Sequence, residues 1–218
     1  MNKVIAIALV LTTISVCHAQ PSFSKYYYER KAVFDNTPDT KDEIIFLGNS
    51  ITEGGKWEQH FPKKNVRNRG ISGDVSDGIL YRLPEITASF PKKVFIMIGT
   101  NDLAKGKSVS YIIERYEDIV KQIQNHSKET IIYIQSVLPV NPKVGNRFSG
   151  HKSKQEAILE LNRKLQMLSK RFNLEYINLH KAFCNRSGAL KPSFTHDGLH
   201  LTKKGYKKWR RHIKDLMN

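Results

Sequence analysis

Unbroken apolar runs alternate along this chain with stretches whose apolar residues recur about every 3.6 positions, the helical repeat. The continuous runs lie in residues 43–47 (EIIFL) and 93–98 (KVFIMI), while 130–137 (TIIYIQSV), 175–179 (EYINL) and the short 66–68 (VRN) read as strands that carry polar residues as well. Apolar residues without polar alternation suit strands covered on both faces, as in a parallel sheet. Helical spacing follows each: Ile79, Leu83 and Ile86; then Ile112, Tyr116, Ile119 and Ile123 within 111–124; then Ile158, Leu161, Leu165 and Leu168 within 156–172. A helix is also predicted over 205–216, and a short one over 52–61, where Trp57 and Phe61 fall on one face. Residues 21–40 read as one helix and a polar loop, with Tyr27, Tyr28, Val33 and Phe34 available to dock. The longest irregular stretch is 139–153.

Strands separated by helices, in crossover units of about 30 to 40 residues, predict one α/β domain with a parallel five-stranded sheet and helices on both faces. The flavodoxin-like strand order 2-1-3-4-5 is expected. In such sheets a site forms past the carboxyl ends of the strands, where the loops after the first three strands converge.

The first 19 residues carry Lys3, an apolar core from Val4 to about Val16, and small residues before Gln20. This is the pattern of a secretory signal, which leaves 20–218 as the mature domain, exported to a periplasm or secreted. Lipid anchoring at Cys17 would need a small residue before it, and Val16 stands there. With Cys17 removed, Cys184 is the only cysteine, so no intramolecular disulfide forms. The net charge is +16, concentrated in the last helix from Lys203 to Lys214. Export argues against a nucleic-acid partner, and attraction to anionic glycans or a membrane surface stays open. A solvated helix face explains the same charge. The sequence is silent on oligomeric state.

Candidate chemistry sits at the predicted strand ends. Ser50 follows the first strand, a position that suits a nucleophile and an ordinary helix cap alike. Gly73 follows the second strand and Asn101 the third, and Thr195-His196-Asp197-Gly198-Leu199-His200 lies near the C-terminus. A serine hydroxyl needs a neighbouring base. An imidazole can take and return a proton near neutrality, so His200 can serve, with Asp197 holding its other nitrogen. The backbone N–H groups of Ser50 and Gly73 and the amide of Asn101 are candidate donors to a developing oxyanion, each worth about 3 to 4 kcal/mol. His196 next to Asp197 also gives a His-Asp-x-x-His spacing, but no third metal ligand is evident.

Together these pieces resemble the GDSL-type SGNH hydrolase superfamily, named for Ser, Gly, Asn and His in four blocks. The blocks here are Gly48-Asn49-Ser50-Ile51, Asn68 to Asp74, Gly99-Thr100-Asn101-Asp102 and Asp197-Gly198-Leu199-His200-Leu201. Asn49 and Ile51 replace the Asp and Leu of the name-giving motif. The second and third blocks look closest to the platelet-activating-factor acetylhydrolase-like and carbohydrate acetylesterase branches. The resemblance implies a three-layer α/β/α sandwich, Ser50 as nucleophile, Asp197 and His200 completing the triad, and no metal or organic cofactor.

The expected activity is hydrolysis of a short-chain ester, an O-acetyl group on a carbohydrate such as sialic acid or a plant glycan. Rival expectations are a lysophospholipase, thioesterase or lipid acetylhydrolase on the same residues, and a non-catalytic glycan-binding protein on an inherited fold. Ile51 and Leu199 are expected to line an acyl pocket. The loop 139–153, with Asn141, Asn146, Arg147 and His151, is expected to face the substrate.

Overall fold

The computed structural model describes residues 22–218. The predicted signal segment and Cys17 lie outside the described residues. The strands are β1 (Ile44–Gly48), β2 (Val66–Gly70), β3 (Lys93–Met97), β4 (Ile131–Gln135) and β5 (Glu175–Ile177). All neighbours pair in parallel, in the order β2-β1-β3-β4-β5. The helices are α1 (Lys25–Asp35), α2 (Ser50–Glu53), α3 (Trp57–His60), α4 (Ser76–Ala88), α5 (Thr100–Ala104), α6 (Val109–His126), α7 (Ser149–Lys152), α8 (Gln155–Arg171), α9 (Leu179–Phe183) and α10 (Lys203–Ile213). This is the expected α/β fold and strand order.

Every residue of β1 and β3 is buried, which explains their unbroken apolar sequence. On one face the register aligns Phe46, Phe95 and Tyr133 across three strands. Their rings stack at 5.0 and 4.5 Å, and Trp57 of α3 lies on Phe46 at 4.0 Å. Trp209 of α10 meets Trp57 edge-on, closing that layer. On the other face α4, α6 and α8 pack side by side. The cations of α10 point outward while Tyr206, Trp209 and Ile213 are buried, so its charge coats a solvated face.

Several local expectations differ from what is observed; the fifth strand ends at Ile177, with Leu179 opening α9, and α7 lies inside the stretch expected to be irregular. The helix expected over 52–61 is two, because Gly54 and Gly55 interrupt it and glycine is a poor helix former. The fourth strand stops at Gln135, since the backbone of Val137 exchanges its N–H and C=O bonds with the Asn162 amide, at 2.8 and 2.9 Å. In α1 only Tyr27 and Phe34, seven apart on one face, are buried; Tyr28 and Val33 are exposed.

Candidate active site

Gly48 ends β1 where the chain must turn sharply under α2. A Cβ there would sit 2.3 Å from Thr52 Oγ1 and 2.4 Å from the Met97 carbonyl, so only glycine permits this approach. Asn49, not Ser50, caps α2: its Oδ1 accepts the Ile51 N–H at 3.0 Å. The Ser50 hydroxyl is therefore free of capping duty. It lies 3.0 Å from Nε2 of His200.

His200 is held from behind. Its Nδ1 lies 2.8 Å from Asp197 Oδ2, while Asp197 Oδ1 accepts the backbone N–H groups of Leu199 and His200 at 2.9 and 2.8 Å. One oxygen thus shapes the turn and the other orients the ring. Burial works against the charge on Asp197, but these hydrogen bonds outweigh it and hold the carboxyl below its ordinary range. The ion therefore adds stability above ordinary carboxylate values, lost as pH falls through the depressed one.

The loops after β2 and β3 meet this pair at the switch point between β1 and β3. Buried Arg82 organises them: its Nη2 donates to the Gly48 and Arg69 carbonyls at 3.2 and 2.9 Å and to Asp74 Oδ2 at 2.9 Å. Gly73 adopts φ +81°, which a side chain would strain. Among the described residues no acceptor meets the N–H of Ser50 or of Gly73. One amide hydrogen of Asn101 goes to the Asp74 carbonyl at 2.8 Å, leaving the second unused. Three donors are thus left without a protein partner.

The loop 139–153 contributes two groups whose roles the residue types did not disclose. His151 Nε2 lies 2.9 Å from Asn101 Oδ1, so the ring fixes which way the amide points. Burial, with His200 and Lys105 nearby, pushes the His151 imidazolium toward neutrality, and the neutral ring must carry its proton on Nε2 to make this bond. Phe148 stands edge-on to both His200 and His151, at 5.0 and 5.8 Å between ring centres. It does so from φ +60°, a left-handed backbone that costs an aromatic residue about 1 to 3 kcal/mol.

Three of the residues expected to touch substrate are placed otherwise. Ile51 and Leu199 are buried in the main core at 2% and 3% exposure, because the apolar neighbours of the motif residues turn inward to fill it. Asn141 is buried too: its amide donates to the Leu190 carbonyl and accepts from the Lys143 N–H, while its own N–H bonds Gly198. It ties the loop to the His200 turn. Arg147 and Asn146 are exposed, and the Arg147 guanidinium lies over the Phe148 ring. His196 points outward, 3.6 Å from Asp197, and among the described residues no group of three His, Cys, Asp or Glu is set to hold a metal.

A cavity of about 430 Å³ opens beside the donors, walled by Gly73, Asn101, Lys105 and His151 and by Phe23 and Tyr27. The aromatic wall comes from the N-terminal segment, docked through the Tyr27 hydroxyl on the Gly78 carbonyl and through Glu53, which binds Tyr26, Arg30 and Ser72. Nothing in the spacing of those residues announces that wall, since it depends on where α1 docks.

A hydroxyl backed by imidazole and carboxylate, with unpaired donors alongside at a parallel-sheet switch point, is the equipment of an acyl-transfer site. Residues 46–208 match the GDSL-like lipase/acylhydrolase family, and the chain belongs to that family. It is 26% identical over 176 residues to human platelet-activating factor acetylhydrolase IB subunit alpha2, covering 78% of this chain and 73% of that protein. A solved Streptococcus pneumonia structure, described only as a proposed platelet activating factor, superposes with a TM-score of 0.80 at 26% identity, covering 89% of this chain and 94% of the other. A Bacteroides thetaiotaomicron GDSL-like lipase superposes at 0.74 with 24% identity, over 88% and 96% of the two chains.

Proposed function

We propose that this protein is an exported serine esterase that removes short acyl groups, acetyl above all, from a carbohydrate alcohol. The Ser50–His200 contact of 3.0 Å, with Asp197 behind the ring, is the observation that carries the reading. Ser50 Oγ attacks the ester carbonyl carbon and passes its proton to His200 Nε2. The oxyanion draws on the N–H groups of Ser50 and Gly73 and on the free hydrogen of Asn101. Collapse of the intermediate expels the alkoxide, which takes the proton from His200 and leaves an acyl-Ser50 ester. Water, deprotonated by His200, then attacks that ester, and the Ser50 oxygen leaves with the proton returned by His200 as the acid is released. The Asp197 carboxylate stays ionised throughout and stabilises the imidazolium.

The acetylhydrolase name of the human relative favours a small acyl group. The aromatic cavity favours a second reading, in which Phe23 and Tyr27 take a longer chain, as a lysophospholipase or thioesterase would. Rates on p-nitrophenyl esters from acetate to decanoate separate the two. A steep fall beyond butyrate is expected, and a maximum at octanoate or longer overturns the acetyl reading.

His151 is a positioning residue under this mechanism. His151→Ala should lower kcat on p-nitrophenyl acetate about tenfold with little change in KM, near the net worth of one hydrogen bond. His151→Gln, whose amide can still donate to Asn101, should recover part of the loss. Equal losses in the two variants would remove the positioning role.

A further inference from the structure

We infer that the cavity beside Gly73 and Asn101 is an anion-reading subsite, in which Lys105 pairs with a carboxylate or phosphate on the alcohol half of the ester. The inference rests on the short-acyl reading. A space of about 430 Å³ is in the range that holds a whole small ligand, far more than two carbons of an acetyl group, so it falls to the alcohol half.

Lys105 closes α5 one turn after Asn101, and its N–H bonds the Asn101 carbonyl at 2.9 Å. Residues four apart share a helix face, which puts the ammonium on the same side as the oxyanion amide. Lys105 Nζ reaches only the Gly73 carbonyl, at 3.5 Å, and among the described residues no carboxylate pairs with it. Asp74 is the one acid in the cavity wall, and its carboxylate is spent on Arg82, with both side chains fully buried. Neighbouring His151 is pushed toward its neutral form. The cavity therefore presents one uncompensated cation, to which an anion is the complement. Phe23, half-buried and seated on the buried Tyr27 with ring centres 4.3 Å apart, adds an apolar wall for the carbon skeleton that carries the charge.

The test compares kcat/KM on three mono-acetyl esters: methyl glucuronide (carboxylate), glycerol phosphate (phosphate) and methyl glucoside (neutral). The wild-type enzyme should favour at least one anionic ester over the neutral one by about fivefold, and the preference should shrink as salt rises. Lys105→Gln should bring the ratio close to one, and Lys105→Glu should invert it. A merely structural effect would slow all three esters in step and leave the ratio intact. Preference for the carboxylate assigns an acidic sugar, and preference for the phosphate assigns a headgroup-like alcohol; each supports the subsite. A wild-type ratio near one, or a ratio that survives Lys105→Gln, overturns the inference alone. An enzyme inert on all three esters overturns the short-acyl reading and the subsite together.

Discussion

Ser50→Ala should lower kcat on p-nitrophenyl acetate by about ten-thousand-fold or more, the scale on which removal of a triad member acts elsewhere. The substitution deletes the attacking oxygen and touches little else. Asn49 supplies the helix cap, so alanine at position 50 loses no capping bond and sits at a helical position that alanine favours. The melting temperature should therefore barely move, which separates lost chemistry from lost fold. His200→Ala should be comparably slow. The double variant should be no slower than either single one, because hydroxyl and imidazole act as a unit and the residual rate belongs to the oxyanion donors. Multiplicative losses in the double variant would mean that the 3.0 Å contact is not the working pair. Unchanged turnover in Ser50→Ala would end the serine-esterase assignment.

Much of this site was legible because its parts are chemically distinctive and fall at strand ends. Ser50, Gly73 and Asn101 follow three consecutive strands, and a parallel sheet brings such loops together whatever the loops contain. Asp197 and His200 were legible as a pair because three residues suffice for a carboxylate to meet a ring in one turn. Apolar residues beside these motifs misled for a general reason. Ile51 and Leu199 have the chemistry of a pocket lining and of a core, and the core claims them because the sheet face behind must be filled. Asn141 misled for another reason: an amide in a loop serves backbone closure as readily as ligand binding. Phe148, with its left-handed backbone, and the aromatic wall from α1 depend on packing between segments far apart in the chain. No local pattern encodes them.

Asp197→Asn is the most informative single change, because the surrounding bonds dictate its outcome. Asp197 Oδ1 accepts two backbone N–H groups, from Leu199 and His200, and an asparagine must keep its oxygen there or abandon both. Its NH2 then faces His200 Nδ1, where the carboxylate oxygen had been at 2.8 Å. A donor at that place forces Nδ1 to accept, which moves the ring proton to Nε2. The imidazole would then donate to Ser50 Oγ instead of taking its proton, and the base would be lost with every atom still in position. The expected loss in kcat is about ten-thousand-fold, the magnitude of the same exchange in the serine-protease triad. Nitrogen NMR of labelled histidine distinguishes the tautomers directly. The wild-type ring should carry its neutral-form proton on Nδ1, and the variant should carry it on Nε2, with the fold unchanged by circular dichroism. A variant that keeps the Nδ1 tautomer and most of its activity would show that the carboxylate serves the turn, not the ring.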